Sequence, residues 1–231
     1  MSLRSRVVEE LGTVYDPELD EPITTLGFVG SCVVTADGEV AVRLRLPTPQ
    51  CAPNFAYLMA ADARAAIRRV AGVGAVTVVL EDHYTGDEIN AAVGADAGFD
   101  GAFPGETAGD LSALRELFQR KALVARQARV CEALLAAGLD ADAVVALRLA
   151  DLPAGAEASR CLALRTALGL PCDPDAPGLI AGDGSALTVD ALPMWLRRAS
   201  LVRTSLDANG AICRSLLHVR YGCPDQQEVA A

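Results

Sequence analysis

Between residues 40 and 70 the spacing of apolar positions changes from two to three and four. Val40, Val42, Leu44 and Leu46 alternate with Ala41, Arg43 and Arg45, the period of a strand with one buried face. Phe55, Leu58, Met59, Ala63, Ala66, Ile67 and Val70 then recur at helical spacing, and Pro53 suits the first turn of that helix. Cys51 falls at the joint, in Leu46-Pro47-Thr48-Pro49-Gln50-Cys51-Ala52-Pro53. The free N–H groups at a helix start stabilise a thiolate, which makes Cys51 a candidate functional thiol. The plainer alternative is a small apolar residue closing a turn.

The same patterning extends to both sides. Val7, Val8, Leu11 and Val14 share one helical face, and the chain then enters Asp16-Pro17-Glu18-Leu19-Asp20-Glu21-Pro22. Four carboxylates and two prolines in seven residues exclude regular structure and predict a stiff acidic loop, either a solvated turn or a binding edge. Ile23, Leu26, Phe28 and Val29 lead through Gly27 into a strand at Val33-Val34-Thr35, and Asp37-Gly38 predicts the hairpin turn into the next strand. Val76, Val78 and Leu80 form a third strand, followed by His83-Tyr84 and a helix capped by Thr85 or Asp87.

The order helix, strand, strand, helix, strand, helix describes a small two-layer α/β domain over residues 1–93. Residues 94–110 are glycine-rich and aperiodic and read as a linker, with Phe99 and Phe103 available to dock on either side. A mainly helical domain is expected over 111–231, giving an α+β chain of two domains. Its first helix carries Leu114, Leu117, Phe118, Val124, Cys131, Leu134 and Leu135 on one stripe up to Gly138. Shorter helices are expected over 141–149 and 158–168, with a helical stretch at Trp195-Leu196-Arg197-Arg198. Leu201 to Leu206 reads as a strand, Asn209-Gly210 as a turn, and 212–221 as either a strand or a helix.

Composition narrows the function. The 231 residues carry a net charge of −10 with no basic cluster, which argues against nucleic-acid binding. Lys121 is the only lysine, so no other residue could serve a phosphate-binding loop or a Schiff base. The seven cysteines include no C-x-x-C pair, and no apolar run reaches membrane-spanning length, so a cytoplasmic chain with reduced thiols is expected. Cys131, Cys161, Cys172, Cys213 and Cys223 follow no zinc or iron–sulfur spacing. Cys131 and Cys161 read as core residues, and Cys172 and Cys223 as exposed thiols beside prolines. His83 and His218 are the only imidazoles.

Asp16-Pro17-Glu18-Leu19, Ile23-x-x-Leu26-Gly27-Phe28-Val29, the Asp37-Gly38 hairpin and Thr48-Pro49-x-Cys51 occur in this order at suitable spacings. Together they resemble the PaaD/SufT-like family of metal–sulfur cluster assembly proteins, a resemblance that covers about the first 93 residues. It implies a fold similar to the NifU C-terminal domain and a role in iron–sulfur cluster assembly or metalloprotein maturation. The functional thiol it implies is Cys51, with Asp16, Glu18 and Thr48 in the neighbouring loops. The implied metal ligand is Cys51, with His83 a candidate second, and the implied cargo is a labile iron–sulfur cluster or iron. A client metalloprotein is the expected partner, an oxygenase subunit being one client class, and a homodimer is a further expectation. Two departures bear on the ligand set. Ala52 separates Cys51 from Pro53, where the family usually has proline directly, and His83-Tyr84 stands where a tryptophan is often found. The rival readings are a Cys-dependent enzyme using Cys51 and His83, and a metal-free protein-binding adaptor.

Overall fold

The computed structural model describes residues 1–106 and 110–222; Cys223 lies outside the described residues. The chain forms two compact units, Met1–Ala113 together with the segment from Asn209, and Leu114–Ala208.

In the first unit, α1 (Leu3–Leu11) is capped by Ser2, whose hydroxyl accepts from the Ser5 N–H, and it buries Val7 and Leu11. The acidic loop follows and closes on itself through a bridge between Tyr15 and Pro22. β1 (Val29–Val34) and β2 (Val40–Arg45) form the expected antiparallel hairpin, with Val34 opposite Val40 and Gly38 at φ +84° supplying the turn. α2 (Pro53–Arg68) then crosses to β3 (Val76–Glu81), which pairs with β2 in parallel from Val40↔Val76 to Arg45↔Glu81. The sheet order is β1-β2-β3. Val40, Val42 and Leu44 point to the buried face and Ala41 and Arg43 to the open one, the half-buried strand read from the sequence. Leu58, Met59, Ala63 and Ile67 of α2, with Ile89 and Val93 of α3 (Gly86–Ala95), complete the core.

Two stretches depart from the sequence reading. The glycine-rich 94–110 segment contains a short helix, α4 (Gly98–Ala102). Phe99 meets Tyr57 of α2 edge-on at 5.5 Å, and Phe103 stacks at 4.9 Å from Phe99. Burial of those two rings orders a segment whose glycine content predicts a linker. The strand and turn expected at 201–210 are instead part of one long helix, α8 (Leu192–Tyr221). Asn209-Gly210 lies inside it, and a Cβ at 210 would stand 2.6 Å from Oε1 of Glu21, so the Glu21 side chain would have to move aside for any other residue. The last turns of the helix belong to the first unit, not to the helical domain expected over 111–231.

The second unit is built from α5 (Ser112–Ala136), α6 (Ala141–Ala146), α7 (Ala156–Ala167) and the first part of α8. Cys131 and Cys161 are core residues, as expected. The fully buried Arg165 of α7 donates to the carbonyls of Pro177 and Gly178 at 2.8 and 2.6 Å and to Oε1 of Gln127 at 3.2 Å. Gln127 in turn accepts from the Ile180 N–H at 2.8 Å. One guanidinium thus organises a proline- and glycine-rich loop that has no sheet or helix to satisfy its main chain.

Candidate functional site

Parallel pairing of β2 and β3 brings the loops that follow them, 46–52 and 82–85, to the same end of the sheet. β1 runs the other way, so the acidic loop that precedes it arrives at this end too, and the Arg45 N–H donates to the Phe28 carbonyl at 2.8 Å. The topology thereby gathers the stretches singled out in the sequence: Asp16 to Glu21, Thr48 to Cys51, and His83.

Cys51 lies just before α2, half-buried, with Pro53 in the first turn and Ala52 as a cap that offers no side-chain acceptor. Its Sγ is 3.6 Å from Oγ1 of Thr48, and its N–H bonds to the Thr48 carbonyl at 3.3 Å. Two bonds tie this loop to the end of β3. The Tyr84 N–H donates to the Pro49 carbonyl at 3.1 Å, and Nε2 of His83 donates to the Cys51 carbonyl at 2.7 Å. The Thr85 N–H points at Nδ1 of His83 at 3.3 Å, which makes Nδ1 the acceptor and places the proton on Nε2. His83 therefore holds the main chain of Cys51. Ligation of a metal by either ring nitrogen would break one of these bonds.

Asp16 is buried, and its Oδ1 accepts from the N–H groups of Glu18 and Leu19 at 2.8 and 2.9 Å. Burial pushes its carboxyl up to about 6, aided by the charges of Glu18 and Glu21 and opposed by the two N–H bonds.

Cys213 is the residue that sequence reasoning missed. It lies near the end of α8, and burial raises its thiol to about 11, with the negative charges of Asp16, Cys51 and Glu18 acting in the same direction and Arg214 against it. The acidic loop and the thiol loop thus flank a second cysteine contributed from 162 residues further along the chain. Its only signal in the sequence is the adjacent Arg214, and the Asn209-Gly210 turn reading concealed the helix. Cys172 is half-buried and donates to the Leu170 carbonyl at 3.1 Å.

Among the described residues no three of His, Cys, Asp and Glu are grouped so that they could hold a metal ion. Cys51 and Cys213 are soft donors and Asp16 a hard one, and the charges of Cys51 and Asp16 both act on the Cys213 thiol.

The family described as iron–sulfur cluster assembly protein matches residues 4–78, which include Asp16, Glu18, Thr48 and Cys51. An Fe–S protein maturation auxiliary factor of Porphyromonas gingivalis is 36% identical over 74 residues, 32% of this chain and 69% of the relative. The chain belongs to the iron–sulfur cluster assembly protein family. An uncharacterized protein of Methanocaldococcus jannaschii is 31% identical over 90 residues, 39% of this chain and 93% of that protein. No solved structure matches the chain. The family match stops within β3, so His83, the second unit and α8 lie outside the matched residues. No helix among the described residues is long and apolar enough to cross a membrane.

Proposed function

We propose that this member of the iron–sulfur cluster assembly family is a maturation factor that holds an iron–sulfur cluster or iron at Cys51 in passing and hands it to a client metalloprotein. The observation that carries this reading is the family match over residues 4–78, within which the half-buried Cys51 lies just before α2 and the acidic loop of Asp16 arrives at the same end of the sheet, with Cys213 of α8 within reach of the charges of both. Two thiols fall short of the four sulfur ligands that clusters take, so a cargo held here draws its remaining ligands from the donor or the client. Such a shared site favours transfer over storage. The Thr48-Pro49-x-Cys51 turn supports the PaaD/SufT-like branch, and within that reading an oxygenase subunit is the client class to try first. The second unit is the part we assign to client recognition.

The test is anaerobic. The reduced full chain is reconstituted with iron and sulfide, its iron and sulfide content is measured, and cluster transfer to an apo-ferredoxin is followed by circular dichroism. Cys51→Ser is expected to abolish transfer while its melting curve stays that of the parent. Undiminished transfer by Cys51→Ser would overturn the reading.

A further inference from the structure

The last turns of α8 are seated on the strand ends by cationic and hydroxyl donors. Arg214 pairs with Oε2 of Glu21 at 2.5 Å. Arg220 donates to two main-chain carbonyls, those of Leu46 at 3.1 Å and Asp82 at 2.7 Å. The Tyr221 hydroxyl donates to Oδ2 of Asp82 at 3.0 Å, and the ring lies 5.2 Å from the guanidinium of Arg45 and 4.9 Å from that of Arg220. Cys213 immediately precedes the first of these anchors, within reach of the charges of Asp16, Glu18 and Cys51.

The receiving surface presents two carboxylates and two carbonyls to the arginines and hydroxyl of α8, with the Asp16 and Glu18 charges nearby and Arg45 as a cation in contact, under the Tyr221 ring. Water can satisfy such a surface, but a planar guanidinium meets two of its acceptors at once and brings the opposite charge. The Methanocaldococcus jannaschii protein is matched over 93% of its length by 90 residues, too few to span both residues 4–78 and α8.

We propose that the last turns of α8, Asn209 to Tyr221, are a cover that the chain lays over its own Cys51 site, standing where an arginine-bearing helical segment of a client docks. The α8 segment imitates that client. Its anchors are partly exposed ion pairs and single hydrogen bonds, each modest in strength, so a competing helix can lift it. The proposal rests on Cys51 as the working thiol. Its test uses alkylation without iron, so failure of the cover and failure of cluster transfer are separate results.

The full-length reduced protein and Arg214→Glu/Arg220→Gln are treated with iodoacetamide, and each cysteine is followed by mass spectrometry. The expected result is a rise of roughly tenfold in Cys51 labelling, the factor given by losing one or two modest hydrogen bonds, with Cys213 labelled alongside. Unchanged Cys51 labelling overturns the proposal. Buried Cys32 reports on folding; if it also becomes labelled, the charge swap Glu21→Arg/Arg214→Glu decides. That swap is expected to restore slow labelling relative to Arg214→Glu alone, and equally fast labelling refutes the cover. A peptide with the sequence of residues 207–222 is expected to protect Cys51 in the opened variant, whereas its Arg→Gln version is not. Equal protection by both peptides overturns the arginine-bearing client.

Discussion

Asp16→Asn probes the buried carboxyl at the centre of the site. Asp16 is 7% exposed, and burial shifts it from its ordinary 3.8 to about 6. The shift of about two units is worth roughly 3 kcal/mol at about 1.4 kcal/mol per unit. Because the folded value is raised, the stability that Asp16 contributes is fully present below pH 3.8 and is lost as pH rises through about 6. Between those values the folded state keeps a proton that the unfolded chain has released. The asparagine carbonyl can accept the same two N–H bonds from Glu18 and Leu19, and it never ionises. The stability of Asp16→Asn relative to the parent is therefore expected to be near zero at pH 3.8 and to rise to about 2–3 kcal/mol in favour of the variant at pH 7.5. Hydrogen exchange of the β2 amides, corrected for intrinsic rates at each pH, measures this opening free energy in the unit that holds Asp16. A difference that does not change with pH, or a variant less stable than the parent at pH 7.5, would refute the reasoning.

Two further variants separate the roles of other polar groups. His83→Ala is expected to loosen the Cys51 loop by about 1–2 kcal/mol, seen as faster amide exchange across residues 46–52, because the Cys51 carbonyl loses the Nε2 donor. His83→Gln, which can still donate, should recover part of that protection, and equal exchange in the two variants would count against the tether. Arg165→Leu is expected to destabilise the second unit by about 3–5 kcal/mol, measured by denaturant unfolding followed through Trp195, since the buried carbonyls of Pro177 and Gly178 lose their donor.

The half-buried strand at 40–46, the helix from Pro53 and the Asp37-Gly38 hairpin were legible because each rests on local periodicity or on one turn with a strong conformational requirement. That the loops of Cys51 and of Asp16 reach one end of the sheet follows from the strand directions, whereas in the sequence their nearness was only what the family resemblance implied. Three features were not legible. Phe99 and Phe103 were visible as docking rings, but the partner of Phe99, Tyr57 on a helix some forty residues earlier, and the short helix it orders are encoded by no local pattern. Asn209-Gly210 has the composition of a turn, yet it lies inside a helix, beside the Glu21 carboxylate 189 residues away. Cys213 inherits that error, because its place at the site depends on the helix continuing through Gly210. The role of His83 was half visible: nearness to Cys51 was expected, but the ring meets the main chain of that residue.

Arg220 grips the carbonyls of Leu46 and Asp82, the residues that follow the paired Arg45 and Glu81 at the ends of two parallel strands. That half of the joint is written in main chain, so no side-chain replacement at 46 or 82 deletes it. The Glu21 and Asp82 carboxylates, which meet Arg214 and Tyr221, are the part of the seat that substitution can edit from the domain's side. At the two carbonyls the helix alone carries editable information, so an engineer could graft a new arginine-bearing segment there without changing a residue of the strands.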